Sequence, residues 1–362
     1  MTLWENLTSF GNLYEAAKEA QRGKRFKPAA ARFHHDLAAR VVALKDSLLS
    51  GAYRPGRYHT FTIYEPARRY ISAAPYIDRV VHHALCRTIE PLFEKSFIFD
   101  SYANRIGKGT HRALDRCQQY CRRYEYVFQG DIRLFFPSID HQILLARLAK
   151  RLFDPQVLAL ATLIVEHSNA QPPAIAYFPG DGLFTPHERR RGLPIGNLTS
   201  QFWANVYLDP FDHFFRDELG APGYIRYVDD FLVFSNDKAE LARWQADAAR
   251  RLEPLRLLLN PRKCRIYPRS EGIPFLGFRV FPNCRRLLPG SVSRARRRLD
   301  RLAEAYSSGE IALGDVKRSV SAWVAHAEHG DTIGLRRRLF QSVVWRANGR
   351  QCDSGRVLEQ QQ

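Results

Sequence analysis

Three aspartates stand out by their surroundings. Asp229 and Asp230 are adjacent within "YIRYVDDFLVFS" (224–235), between two runs of residues that favour burial. Like charges side by side in an apolar frame repel each other and lose hydration, which is costly unless something positive compensates. One reading is a plain hairpin turn, where Asp is common. The other is a metal site, with carboxylates held on a rigid hairpin for a hard divalent cation such as Mg²⁺. Asp131 bears on the choice, because it ends the apolar run "YVFQGD" and supplies a third carboxylate. One strand-end Asp plus an Asp-Asp hairpin can hold two Mg²⁺ ions. Two-metal sites serve nucleotidyl transfer: one ion lowers the pKa of an attacking 3′-hydroxyl, the other stabilises the leaving pyrophosphate.

The elements needed to position these residues are legible in the periodicity. "YEYVFQGDIRLFF" reads as a strand leading to Asp131, and 224–235 as a hairpin. The first fifty residues look helical, and "YHTFTIYEPARRYISAAP" reads as a second hairpin turning at "EPARR". Residues 78 to about 93 have Val80, Val81, Leu85 and Ile89 on one helical face. Helices are expected over 141–168, 198–218 and 237–254, with a Pro/Gly-rich interruption beginning at "NAQPPAIAYFPGDG". Two short strands, "CRIYP" and "PFLGFRVF", precede a basic helical module after Pro289. Strands mixed with helices in this order argue an α+β fold with a helical appendage.

Composition says what such a site would act on. The 362-residue chain has 55 Lys plus Arg against 37 Asp plus Glu, a formal net charge of +18. A field of that sign attracts polyanions, nucleic acid first among them. There is no apolar run of membrane-spanning length and no amino-terminal signal peptide, so no membrane partner is expected. The six cysteines are scattered without zinc-site spacing and read as free thiols, which fits a reducing, cytoplasmic setting.

Together these motifs resemble those of reverse transcriptases, over about residues 55–345. "YVDD" (227–230) is similar to their catalytic hairpin and "DIRLFFPSIDH" (131–141) to their first catalytic strand. "RRYISAAPYIDRVVHHAL" resembles their fingers segment, "SYANRIGKGTHRAL" the segment that follows it, and "LNPRKC" and "FLGF" their late palm motifs. The resemblance implies an RNA-directed DNA polymerase using two Mg²⁺ ions, dNTPs, a template RNA and a cDNA or primer strand. It implies a right-hand α+β polymerase fold with fingers, palm and thumb. The segments would be 1–100 (N-terminal helices and fingers), 101–141 (palm), 142–190 (fingers insertion), 191–283 (palm with the catalytic hairpin), 284–350 (helical thumb) and 351–362 (a flexible tail).

The roles it implies fall on particular residues. Asp131, Asp229 and Asp230, with the Ile132 carbonyl, would hold the metals. Lys263 would protonate the leaving pyrophosphate. Arg69, helped by Arg68, would grip the triphosphate, a task suited to a bidentate guanidinium. Phe136, five residues past Asp131, would exclude a 2′-hydroxyl. Phe275, Leu276 and Gly277 resemble the primer grip. Arg294, Arg296, Arg297, Arg298, Arg336, Arg337 and Arg338 would contact duplex phosphates. A solvated charge or a core aromatic is the plain alternative at each of these positions.

"RGLPIGNLTSQ" (191–201) points to a subfamily. Ile195 stands where many reverse transcriptases carry Gln, before Gly196, and Gln201 replaces a Pro. The pattern is similar to reverse transcriptases of diversity-generating retroelements, which implies copying errors at template adenines and a small basic accessory protein. Group II intron-like and antiphage defence enzymes are the alternatives. A different class of reading is a catalytically inactive nucleic-acid-binding scaffold.

Overall fold

The computed structural model describes residues 1–64, 68–169, 176–343, 345–347 and 350–352. Part of the expected "EPARR" turn, part of the Pro/Gly-rich stretch and positions 353–362 of the expected tail lie outside the described residues. The chain divides into two compact units. The first comprises Met1–Gly109, Phe128–Val233 and Lys238–Ile266; the second comprises Thr110–Val127, Phe234–Asp237 and the chain from Tyr267 onward.

The first unit opens with helices Leu3–Thr8, Phe10–Gln21, Pro28–His35 and Leu37–Leu49. Next comes an antiparallel hairpin, β1 (His59–Ile63) with β2 (Arg69–Ala73), in the register His59 to Ala73 and Ile63 to Arg69. Helix Tyr76–Glu94 follows and buries Val80, Val81, Leu85 and Ile89, the face read from the sequence. The strands that matter for the site are β3 (Tyr126–Asp131), β4 (Gly223–Tyr227), β5 (Asp230–Ser235) and β6 (Arg265–Pro268). They form one sheet in the order β4-β5-β3-β6, which sets the strand ending in Asp131 beside the strand beginning with Asp230.

Helix Leu198–His213 has most of its side chains buried, and it continues as a π-helical turn over Phe214–Glu218. An aromatic cluster accompanies the hairpin strands. The Phe231 ring meets Phe211 at 5.1 Å and Phe128 at 5.5 Å, both edge-on, and Phe215 stacks on Tyr224 at 4.9 Å. Edge-to-face rings of this kind add to burial and fix orientation. Gly130 belongs to the same packing. A Cβ there would lie 2.1 Å from the Phe231 ring, so only glycine lets β3 and β5 come together under that ring.

The second unit packs helix Thr110–Arg123 with a three-stranded sheet, β7 (Ile273–Phe275), β8 (Phe278–Val280) and β9 (Arg285–Leu287). "PFLGFRVF" is therefore two strands and not one. The chain reverses at Leu276 and Gly277, both at positive φ (48° and 89°), which closes a two-residue hairpin pairing Phe275 with Phe278. Helices Pro289–Ser307, Leu313–Ala327 and Ile333–Gln341 follow, around a core of Leu299, Ala303, Leu339, Phe340 and Val343. A last pair, β10 (Trp345–Ala347) and β11 (Arg350–Cys352), lies beyond them. Cys86, Cys117, Cys121, Cys264 and Cys284 are free thiols, and burial pushes Cys121 up to about 11. Among the described residues no helix is long and apolar enough to cross a membrane.

Candidate active site

The expected carboxylates converge where β3 ends and the β4–β5 hairpin turns. Asp131 is 4% exposed. The Ile132 amide, next in the chain, donates to the Asp229 carbonyl at 3.2 Å, which joins the two segments through backbone. On its other side Ile132 bridges Leu259: the Arg133 amide donates to the Leu258 carbonyl at 2.8 Å and the Asn260 amide to the Asp131 carbonyl at 2.8 Å. The Ile132 carbonyl takes no part in those bonds.

The carboxylates crowd one another. Burial, then repulsion from Asp229 and Asp131, pushes Asp230 up to about 7. Burial and the Asp131 charge raise Asp229, against a hydrogen bond from its own backbone and the pull of Lys263 and Arg69. Asp131 is held by two donors. It accepts from Lys263 Nζ at 2.6 Å and from Asn260 Nδ2 at 2.8 Å. Partial burial lowers the Lys263 ammonium, but the hydrogen bond to Asp131 and the attraction of all three carboxylates outweigh it and leave it raised.

This donor set suits a hard dication. Carboxylate oxygens are the ligands Mg²⁺ prefers, and mutual repulsion among three of them is relieved by positive charge. Asp131, Asp229 and Asp230, with the Ile132 carbonyl, are the groups that would hold it. Among the described residues no three His, Cys, Asp or Glu side chains are arranged as a ready-made metal cluster. In this structure the Asp131 oxygens are turned to Lys263 and Asn260.

Other expected residues fall around this centre. Arg69 opens β2 and acts electrostatically on Asp229. Its strand is fixed to the "PIGN" loop, because the Ser72 amide donates to the Ile195 carbonyl at 3.0 Å and Asn197 Nδ2 donates to the Ser72 carbonyl at 2.8 Å. Gly196 has φ +112°, and a Cβ there would meet Ile71 at 2.9 Å, so the approach depends on glycine. Ile195 is half-buried, and Gln201 sits in the first turn of helix Leu198–His213. Phe136 is half-buried in the short helix Phe135–Ser138, and its carbonyl accepts from the Leu193 amide at 2.9 Å. Arg68 is exposed and turned to Tyr70, whose hydroxyl it meets at 2.7 Å.

The remaining expected residues belong to the second unit. Phe275, Leu276 and Gly277 form the β7–β8 turn, and the Gly277 carbonyl accepts from the Leu288 amide at 3.0 Å. On helix Pro289–Ser307, Arg296, Arg297 and Arg298 are exposed, whereas Arg294 is half-buried and bonds Ser291 at 3.0 Å. Arg298 also reaches Ser319 at 3.0 Å. On the last helix Arg337 and Arg338 are exposed, and Arg336 pairs with Glu328 at 2.8 Å.

A profile of the reverse transcriptase (RNA-dependent DNA polymerase) family matches residues 65–280, more than half of the chain. The chain belongs to the reverse transcriptase family. Its α+β architecture is the polymerase fold of that family. Protein YkfC of Escherichia coli (strain K12) is 24% identical over 286 residues, covering 67% of this chain and 72% of the relative. The group II intron-encoded protein LtrA of Lactococcus lactis subsp. cremoris is 23% identical over 178 residues, or 48% of this chain and 28% of the relative. This reverse transcriptase thus spans most of the first relative and under a third of the second. Among solved structures, apo telomerase from Candida tropicalis superposes with a TM-score of 0.47 at 10% identity, over 62% of this chain and 47% of that one.

Two residues of this site escaped the sequence reading. Asn260 orients Asp131 from "LNPRKC", and its Oδ1 accepts from the Arg262 amide at 3.2 Å. An Asn just before Pro in a turn is the signal that points to it. Arg226, inside "YIRYVDD", is fully buried and pairs bidentately with fully buried Asp212 at 2.6 Å through both Nε and Nη2. It also donates to the Val228 carbonyl at 3.0 Å, to Asn205 at 3.1 Å and to Ser101 at 3.1 Å. Val228 is left-handed (φ +58°), a strained state for a β-branched residue, and it immediately precedes Asp229. Arg226 therefore ties the strained hairpin turn to the core.

Proposed function

We propose that this reverse transcriptase is an active RNA-directed DNA polymerase that extends a primer on an RNA template. The observation that carries the reading is the meeting of Asp131, Asp229 and Asp230 at one hairpin, with Lys263 and Arg69 charged toward them. Two Mg²⁺ ions, when bound there, supply activation of the 3′-hydroxyl and charge stabilisation on the pyrophosphate. The protein's own groups do the rest. Arg69 holds the triphosphate through bidentate hydrogen bonds. Lys263, kept protonated by its carboxylate neighbours, has a proton to give to the leaving pyrophosphate. Phe136 lies under the sugar and leaves no room for a 2′-hydroxyl. The exposed arginines of the last helices hold duplex phosphates, and Phe275–Gly277 steady the primer.

Within the family, Ile195 and Gln201 support an error-prone enzyme of the diversity-generating type, working with a small basic accessory protein. The likeness to the group II intron-encoded protein supports a group II intron-like reading as the second candidate.

The test is primer extension by purified protein on an RNA template with Mg²⁺ and dNTPs. Asp229→Asn should abolish extension, because a neutral amide is a poor Mg²⁺ ligand, and should leave RNA affinity unchanged. Extension by that variant at the wild-type rate would remove the site assignment. A wild type that binds RNA and never extends a primer would be a scaffold.

A further inference from the structure

The stretch that follows Asp131 forms one wall of a cavity of about 80 Å³ that the reading above does not use. Arg133 and Ser138 come from that wall, Arg189 and Arg191 from the approach to the "PIGN" loop, and Arg256 from the segment before Asn260. None of Asp131, Asp229, Asp230, Lys263 or Arg69 lines it.

Its charge is unbalanced: four arginines line it against one carboxylate, Asp140. Arg189 pairs with buried Asp140 at 2.5 and 2.8 Å, and Arg256 pairs with Asp181 at 2.7 and 2.8 Å while lying 4.8 Å from the Phe178 ring centre. Those two arginines are held in place and their charges answered. Arg133 and Arg191 are not answered: among the described residues neither guanidinium has a hydrogen bond or an ion pair. Arg191 is half-buried, and burial and the Arg256 charge outweigh the attraction of Asp140 and lower its pKa. A partly desolvated cation facing another cation is unfavourable unless an anion joins them. The cavity has room for roughly five to eight water molecules, the size class of a phosphate or diphosphate and far below that of a duplex.

We infer that this cavity is a binding site for a diphosphate group, with Arg133 and Arg191 as its charge-bearing ligands and Arg189 and Arg256 as its braced walls. Two spare guanidiniums match an anion with at least two charges. Two sources share this chemistry: inorganic pyrophosphate and the phosphates of a non-incorporated nucleotide. That pyrophosphate would be the reaction product rests on the activity proposed above.

The experiment is calorimetric titration of sodium pyrophosphate into the full chain in EDTA, which leaves the carboxylate site without metal. One equivalent should bind. Arg191→Gln and Arg133→Gln should each weaken binding by roughly tenfold or more. Arg133 is exposed, so its variant keeps the test readable if Arg191→Gln folds poorly. ATP as competitor separates the sources: displacement below the concentration of pyrophosphate needed assigns the site to a nucleotide, and weaker competition assigns it to pyrophosphate. No binding, affinity equal to that for orthophosphate, or wild-type affinity in both variants overturns the inference. So does displacement by a short RNA whose own affinity falls equally in the variants, which would give the cavity to a nucleic-acid backbone. Primer extension is measured alongside. Extension without pyrophosphate binding fails this inference alone, and binding without extension fails the proposed activity alone.

Discussion

Arg226→Met tests whether the catalytic turn depends on a buried ion pair. The substitution keeps volume and removes five hydrogen bonds, two of them to Asp212 at 2.6 Å. Asp212 would keep the Tyr224 hydroxyl at 2.7 Å but would be a buried carboxylate without a cation. Breaking one side of such a pair costs about 3–5 kcal/mol. At about 2–4 °C per kcal/mol for a unit of this size class, the melting temperature should fall by roughly 6–20 °C. The double variant Arg226→Met/Asp212→Leu removes both charges, so most of that loss should return, because paired replacement by apolar groups is often neutral. Activity should not return with it. The Val228 carbonyl would have lost its tether, and a left-handed Val costs about 1–3 kcal/mol to hold, so Asp229 would no longer be presented in one geometry. Thermal melts and primer extension on the wild type and the variants measure both effects. A single variant melting within about 2 °C of wild type, against the expected fall, would refute the stability argument. Full extension by the double variant would refute the tether.

Phe136→Ala should admit ribonucleotides far more readily, read as the ratio of dGTP to rGTP incorporation; an unchanged ratio places the sugar gate elsewhere. Ile195→Gln should lower misincorporation opposite template adenine without abolishing synthesis, since a polar group discriminates better than apolar contact. Sequenced cDNA from a defined template reads this, and a wild type already as accurate at adenine as at other bases ends the diversity-generating reading. His82 is buried, its Nδ1 has no partner, and burial pushes it down to about 3. It folds neutral and is protonated below about 6.5 when unfolded, so its contribution is complete above that pH and is lost as pH falls toward 3. The loss should be about 1.4 kcal/mol per pH unit at most. Urea unfolding at pH 7 and pH 5 should show a steeper loss in wild type than in His82→Gln, and parallel losses would contradict the assignment.

Asp131, Asp229 and Asp230 could be found in the sequence because each sits at a strand end beside apolar runs, and period-two patterning is a local property. The hairpin carrying Arg69 was legible for the same reason, and the face of helix Tyr76–Glu94 from the 3.6-residue period, which is equally local. "PFLGFRVF" was misread as one strand because its alternation runs unbroken through Leu276–Gly277, and the reversal is set by backbone angles that composition marks only with a glycine. Partnerships across long separations were decided by the tertiary structure alone. Asn260 and Lys263 reach Asp131 only because Leu259 bridges Ile132. Arg226 reads as an out-of-place charge in a strand until Asp212, on a helix, comes to meet it. Arg133 and Arg191 look like ordinary solvated arginines, and what distinguishes them is a cavity whose other arginines already have their carboxylates. Local pattern reports which face of an element is buried. It carries no information on which charges will be left without a partner, because that depends on every element that packs around them.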